Sequence, residues 1–227
     1  MSTHLKHGQS TIDGLLQERD WSGAIIEAIE WCSSSFDPLS VNAPERTISR
    51  VAHEAAAGDD DAVRTIVGVI HKDFASRGPG DIAGGIEGAA TEAVTTIGPR
   101  AVPFLVPLLD DPRWQVATHA TKALGTLGAV SVVPLIAGVY SRTAEPEESR
   151  APFPMWKREV RSEASVACTS LFRADPEGFV REASSVEDAA ARTMLHAAAM
   201  YVVVKLRPGP RTDELRALAD ELAPESQ

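Results

Sequence analysis

Apolar positions recur along most of the chain with the period of an amphipathic α-helix. In one segment they follow the spacing i, i+4, i+7, i+8 and i+11 and therefore share one helix face: Val116, Ala120, Ala123, Leu124 and Leu127. Proline, glycine and charged residues separate successive segments of this kind. The pattern predicts an all-α fold, with helices near residues 11–18, 20–33, 43–57, 60–77, 83–97, 101–110, 113–127, 131–141, 156–173, 176–184, 187–206 and 211–222.

One of these segments is ambiguous when it is taken alone. The three consecutive valines at 202–204 are typical of a strand. Apolar residues nevertheless keep helical spacing through this stretch, at Ala190, Met194, Ala197, Tyr201 and Val204. The spacing therefore favours a buried helix.

Part of the chain repeats itself. Residues 90–106 align with residues 120–136, with identical residues at Ala90 and Ala120, Thr91 and Thr121, Ala93 and Ala123, Thr96 and Thr126, Gly98 and Gly128, Val102 and Val132, and Leu105 and Leu135. A period of roughly 20–50 residues is typical of helical units that stack on one another. The two glycines follow predicted helix ends, where a left-handed backbone favours glycine. Asp111 and Pro112 are expected to cap and begin the next helix.

The segment from Ile97 to Gly128 resembles the HEAT repeat, in the short bacterial and archaeal form that also occurs in phycobilisome bilin lyases. The resemblance is close over residues 90–136 and extends more weakly over residues 59–206. It implies an α-α superhelix, that is, a solenoid of stacked antiparallel helix pairs. The pattern returns at Val160 and Arg161 after a longer displacement, so extra residues must be accommodated between these repeats.

An inserted loop is expected at residues 141–154, which carry three prolines and mixed charges. We therefore expect one HEAT-like domain over residues 1–227, made of three parts. Residues 1–57 form an N-terminal helical cap, residues 58–206 hold the repeats and the loop, and residues 207–227 form a C-terminal capping helix.

Composition limits the choice of partner and compartment. Lys and Arg total 22 and Asp and Glu total 32, which gives a formal net charge of −10 and disfavours nucleic acid and anionic lipid as partners. The two cysteines, Cys32 and Cys168, have no disulfide or metal spacing and favour a reducing compartment. No apolar stretch approaches the ~18–20 residues of a membrane span, and residues 1–10 lack the apolar core of a signal peptide. A soluble cytoplasmic protein is expected.

Three enzyme classes that use this scaffold remain as alternatives. Deoxyhypusine hydroxylases, which are HEAT-like, bind two irons through several His-Glu pairs, and this chain offers only His53 and Glu54. Bilin lyases share the repeat but no evident chromophore site. Alkylpurine DNA glycosylases line a basic groove with Trp, Asp and Arg, for which the candidates are Trp114, Asp111, Trp156, Arg158 and Arg161. The acidic balance opposes this last class, and no catalytic residue, metal or cofactor is predicted.

The leading hypothesis is a non-enzymatic scaffold or interaction module that binds a protein. One candidate contact lies at the inserted loop, where large apolar side chains follow prolines: Phe153, Met155 and Trp156. The alternative is that these residues cover the gap between two repeats. A purely structural protein that associates with itself is a further possibility.

A second candidate contact is a polar row on the concave face of the expected solenoid. Its centre is formed by Gln115, Thr118, His119 and Lys122, although solvated surface is the simpler interpretation of His119. The row continues at Glu87 and Glu92 on one side and at Glu159, Ser162 and Glu163 on the other. Because the row is mostly polar and acidic, a basic protein or peptide would suit it electrostatically.

Overall fold

The computed structural model describes residues 2–34, 42–74, 93–143 and 155–224. All regular secondary structure in these ranges is helical, and none of it is β-strand, which confirms the all-α class. The chain divides into two compact units, Met1–Leu105 and Val106–Gln227. The expected single domain with its two terminal caps stays a prediction.

The first unit contains five α-helices and three shorter or irregular helical segments within the described residues. In chain order these are α1 (Ser2–Gln17), α2 (Trp21–Ser34), α3 (Asn42–Ala57), α4 (Asp60–Gly68), a π-helical segment (Val69–Phe74), helical residues 93–97, a 3-10 turn (Gly98–Ala101) and α5 (Val102–Leu105).

Local chemistry explains where α4 begins and how the following turn is fixed. Asp59 precedes α4, and its carboxylate accepts a hydrogen bond from the Ala62 amide at 2.9 Å, so it is the N-cap. Arg100 donates to the Ala56 carbonyl at the end of α3 and pairs with Asp60 at 2.7 Å. The guanidinium therefore ties the 3-10 turn of residues 98–101 to the connection between α3 and α4.

The predicted helix at residues 101–110 is wrong in its details. The chain there alternates between 3-10 and α-helical turns, with a 3-10 segment at Val106–Asp110. Pro99, Pro103 and Pro107 explain this, because proline has no amide hydrogen and interrupts the regular i to i−4 hydrogen bonding. The helix predicted at 60–77 likewise changes from α to π geometry after Gly68.

The second unit begins with that 3-10 segment and continues with six α-helices within its described residues. These are α6 (Trp114–Thr126), α7 (Val133–Arg142, after a 3-10 turn at Val130–Val132), α8 (Met155–Ala174), α9 (Pro176–Ala183), α10 (Ala189–Lys205) and α11 (Pro210–Asp220). Each matches a helix predicted from the sequence to within a few residues.

The start of α6 differs from the expectation that Asp111 caps this helix. Arg113 is the N-cap residue, and its side chain makes no capping hydrogen bond. Asp111 instead accepts from the Arg113 amide at 2.9 Å and forms an ion pair with the Arg113 guanidinium at the same distance. The Asp111 carboxylate therefore binds the residue two positions along the chain and is not the N-cap of α6.

Helix α8 packs closely along α6. Near their first turns, Trp114 and Trp156 stack with ring centroids 6.5 Å apart. Near their ends, a Cβ at Gly125 would lie only 2.7 Å from both the Cα and the Cβ of Ala167. Because residues in the first turns of the two helices contact each other, and residues nearer their C-terminal ends also contact each other, α6 and α8 run parallel.

The other end of α8 holds the largest buried side chains of this unit. Phe172 on α8 and Phe179 on α9 are both fully buried and meet edge to face, with ring centroids 5.5 Å apart. Asp175 lies between them and caps α9 by accepting the Gly178 amide at 2.9 Å. The cap and the aromatic pair together fix the turn between the two helices.

Helix α10 confirms that residues 202–204 are helical, but it is buried on one face only. Its buried face is formed by Ala191, Met194, Leu195, Ala198, Ala199, Val202 and Val203. The positions whose spacing indicated a buried helix are exposed except for Met194, and Val204 is 72% exposed. Apolar residues lie on all sides of α10, so spacing alone does not determine which face is covered.

Candidate functional site

An open groove of about 540 Å³ lies between α7, α8 and α10 in the second unit. Its described lining combines two arginines, several hydroxyl groups and two apolar side chains: Tyr140, Arg158, Arg161, Ser162, Ser165, Thr193, Met194 and Ala197. Helix α8 supplies four of these at the spacing i, i+3, i+4 and i+7, which places them on one helix face. This groove is the candidate functional site.

Arg161 is held in place by the aromatic residue at the end of α7. Its guanidinium lies over the Tyr140 ring, 4.2 Å from the centroid, and donates a hydrogen bond to the Tyr140 hydroxyl. A planar guanidinium stacks on aromatic faces in this way because the ring face is electron-rich. The contact fixes a positive charge at the wall of the groove.

The other polar groups from α8 are less engaged. Within the part of the chain that the structure describes, Arg158 makes no ion pair, and the hydroxyls of Ser162 and Ser165 make no hydrogen bond. Arg158 and Ser162 are exposed, and Ser165 is half-buried. These three residues therefore present donors to the groove that a ligand could use.

Helix α10 forms the opposite, largely apolar wall. Met194 is buried with its edge on the groove, and Ala197 is exposed. The Thr193 hydroxyl donates to the carbonyl of Ala189 at 2.9 Å and is thus used within the helix. One turn beyond Ala197 on the same face, Tyr201 is 54% exposed, so the apolar surface continues past the groove.

The structure does not place the centre of the predicted polar row in this groove. Gln115, Thr118, His119 and Lys122 all lie on α6 and are half-buried. The Thr118 hydroxyl donates to the Trp114 carbonyl at 2.7 Å. Their role in binding a partner stays a prediction.

The residues predicted to flank the polar row do not all lie at the groove. On α8, Glu159 is exposed and Glu163 is half-buried, and neither lines the groove, whereas Ser162 does. Glu87 and Glu92 lie outside the described residues.

Of the predicted loop contact, only Trp156 can be placed in full. Its ring stacks on Trp114 and is 38% exposed, and the Lys157 ammonium lies 5.8 Å from its centroid. Trp156 thus contacts the neighbouring helix and keeps part of its surface exposed, and whether it binds a partner or covers the gap between two repeats stays a prediction. Phe153 and most of the loop lie outside the described residues, and Met155 begins α8 with its side chain also outside them.

Of the residues that are candidates for a glycosylase site, only the two arginines line this groove. Trp114 and Trp156 stack on each other beside α6, and Asp111 pairs with Arg113. Arg158 and Arg161 line the groove on another face of α8, which neither tryptophan lines.

The candidate metal pair is also separated from other ligands. His53 is exposed, and Glu54 accepts from Arg50 at 3.0 Å. Among the described residues, no group of three or more His, Cys, Asp or Glu side chains converges as metal ligands would.

The one cysteine whose side chain is described is buried in α8. Burial raises the pKa of the Cys168 thiol from its ordinary value of 9.0 to about 12, because desolvation disfavours the thiolate. The unfolded chain loses this proton near its ordinary pKa while the folded chain keeps it. The contribution of the thiol to stability is therefore complete below about pH 9 and declines as the pH rises towards 12.

This burial predicts an unreactive thiol. In a Cys32→Ala background, Cys168 in the folded protein will react with a thiol reagent near pH 8 roughly a thousandfold more slowly than in the unfolded chain. The rate is measured by mass spectrometry with and without denaturant. Labelling of the folded protein at the rate of an exposed thiol would contradict the burial.

The groove residues were only partly visible in the sequence. The basic cluster around Arg158 and Arg161 could be recognised, and the spacing of Ser162 and Ser165 on the same face could have extended it. The sequence did not indicate that Thr193 and Ala197 line the groove, because it does not show which face of α10 packs against α8.

No protein-family model matches the chain, and no curated protein matches it. Among solved structures, the chain is similar to an engineered protein known from a crystal structure, with 18% identity over 94% of this chain and 83% of that chain. The TM-score is 0.32, so this likeness supports no argument about fold or function. No helix among the described residues has the length and apolar character needed to span a membrane.

Proposed function

We propose that this protein is a HEAT-like helical-repeat scaffold of the cytoplasm and that it binds a partner protein through the groove between α7, α8 and α10. The observation that carries the proposal is the open groove itself, in which uncommitted polar donors on α8 face an apolar wall on α10. Binding sites of this kind combine apolar area with a few positioned polar groups.

The repeat interpretation has two supports within the described residues. Gly98 and Gly128 both adopt the left-handed conformation, with φ of 70° and 68°. Gly98 begins a 3-10 segment, Gly128 precedes one by two residues, and an α-helix follows each segment. Within the second unit, α6 and α8 pack in parallel and in close contact, as the second helices of neighbouring repeats do in a solenoid. Both observations are expected of stacked helix pairs.

A steric block provides the test. In Ala197→Trp, a large side chain fills the groove from α10 without changing the charge. Partners are captured with the wild-type chain from its native host, identified, purified and titrated against both proteins. We expect a direct partner whose affinity falls at least about tenfold with Ala197→Trp.

The matched control is Ala190→Trp, which adds the same side chain at an exposed position of α10 outside the groove. We expect this variant to bind like the wild type. The absence of any direct partner, or equal loss of affinity in both variants, would contradict binding in the groove.

A further inference from the structure

We infer that the groove recognises an acidic peptide segment of its partner, one that carries carboxylates next to small apolar or aromatic side chains. This inference rests on the proposed function and specifies the chemistry of the ligand. It departs from the basic partner that the polar row on α6 and α8 favours, because the groove carries the opposite charge.

The charged groups of the groove lining are all positive among the described residues. Arg158 and Arg161 project from one face of α8, and the described lining contains no carboxylate. The chain as a whole carries a net charge of −10, so the charge of the groove lining is opposite in sign to the net charge of the chain. At physiological salt the Debye length is about 8 Å, so the charges that line the groove act more strongly on a ligand seated there than charges elsewhere on the chain.

The geometry suits carboxylates on a peptide. Arg161 is braced by Tyr140, so its guanidinium keeps a fixed orientation, and a guanidinium can bind a carboxylate through two parallel hydrogen bonds. Arg158 is exposed and without an ion pair among the described residues, and the nearby Ser162 and Ser165 hydroxyls can donate to the same or a neighbouring acceptor.

The apolar wall distinguishes a peptide from a nucleic acid. Met194 and Ala197 face the two arginines across the groove and offer a surface for apolar side chains. A nucleic-acid backbone instead requires a track of many cations, because each neutralised phosphate contributes to affinity. Two arginines on a chain of net charge −10 favour a short acidic segment that also carries apolar groups.

The test uses the full-length chain and synthetic fluorescent peptides of about twelve residues. Three sets share the same Leu and Phe positions and differ only in the remaining residues, which are Glu, Gln or Lys. Affinities are measured by anisotropy for the wild type, for Arg158→Glu, and for Arg181→Glu, which makes the same charge change at an exposed site on α9.

We expect the Glu set to bind more tightly than the Gln and Lys sets and to weaken as salt is raised. Arg158→Glu should lower the affinity for the Glu set at least about tenfold, and Arg181→Glu should leave it within about twofold. Equal binding of all three sets, or equal effects of the two substitutions, would overturn the inference. Tighter binding of a single-stranded oligonucleotide of similar length would also overturn it.

Two other occupants of the groove would appear in the same experiment. If the chain's own acidic stretch fills the groove, only the variant with Glu145, Glu147 and Glu148 changed to Gln will bind the Glu peptides. If a second copy fills it, the wild type will sediment as a dimer and Arg158→Glu as a monomer. Either result overturns the inference of a partner peptide.

The inference and the proposed function fail in different ways. If Ala197→Trp abolishes binding of a partner while Arg158→Glu does not, the groove binds a protein but not through acidic groups. If neither substitution affects partner binding, the groove is not the binding site, and the proposed function fails together with the inference.

Discussion

Replacing Phe172 with alanine will lower the free energy of unfolding by about 3–5 kcal/mol. Phe172 is fully buried at the end of α8 and packs edge to face against Phe179 of α9, with ring centroids 5.5 Å apart. Truncation removes the apolar contacts of the ring and leaves a cavity that the two helices can fill only in part. It also removes the aromatic pair, which contributes roughly 0.5–1.5 kcal/mol beyond its buried area.

The measurement is urea denaturation followed by circular dichroism, with Val166→Ala as the control on the same helix. Val166 is 54% exposed, so its truncation should change stability by no more than about 1 kcal/mol. Phe172→Leu should fall between the two, since it retains much of the buried volume. A loss for Phe172→Ala as small as that of the control would show that the end of α8 is not part of a packed core.

Most helices of the described residues could be predicted from the sequence, and several of them have clear local signals at their ends. Asp59, Asp175 and Asp188 each precede a helix in the sequence, and each accepts a hydrogen bond from an amide of its first turn. Signals of this kind lie within a few residues of one another. These capping hydrogen bonds form in the folded protein because tertiary packing does not engage the three carboxylates in other contacts.

Predictions that depend on tertiary contacts were less successful. Residues 190, 197, 201 and 204 have helical spacing, but α10 buries a different face against its neighbours. Asp111 was expected to cap α6, yet the guanidinium of Arg113 lies close enough to bind its carboxylate. Packing against neighbouring helices determines the buried face of α10, whereas the pair of Asp111 with Arg113 is a second local arrangement that replaces the cap.

The candidate site shows the same limitation. Trp156 was predicted to contact a partner because large apolar residues near prolines are typical of interfaces; the sequence did not show that it stacks on Trp114, and its role in binding stays a prediction. Arg158 and Arg161 belong to the groove because α8 presents one face to α6 and another to α10. Sequence spacing identifies residues on one helix face, whereas the helix opposite that face is known only from the fold.

Replacing Gly125 with alanine will destabilise the second unit by about 1–3 kcal/mol, although alanine is the better helix former. The added Cβ would lie 2.7 Å from the Cα and the Cβ of Ala167. Real Cβ atoms do not approach backbone atoms so closely, so α6 and α8 would have to move apart. The separation would also weaken the contact between Trp114 and Trp156 at the other end of the same pair of helices.

The matched substitution is Gly138→Ala in α7, where the nearest atom to the new Cβ is the Nη1 of Arg142 at 3.7 Å. This site has room for a methyl group, so alanine should stabilise the protein by about 0.5–1 kcal/mol through its helix propensity and the reduced entropy of the unfolded chain. Urea denaturation of the two variants should therefore give changes of opposite sign. If Gly125→Ala were as stable as Gly138→Ala, the close parallel packing of α6 and α8 would be wrong, and the stacked-repeat interpretation would lose its support in the second unit.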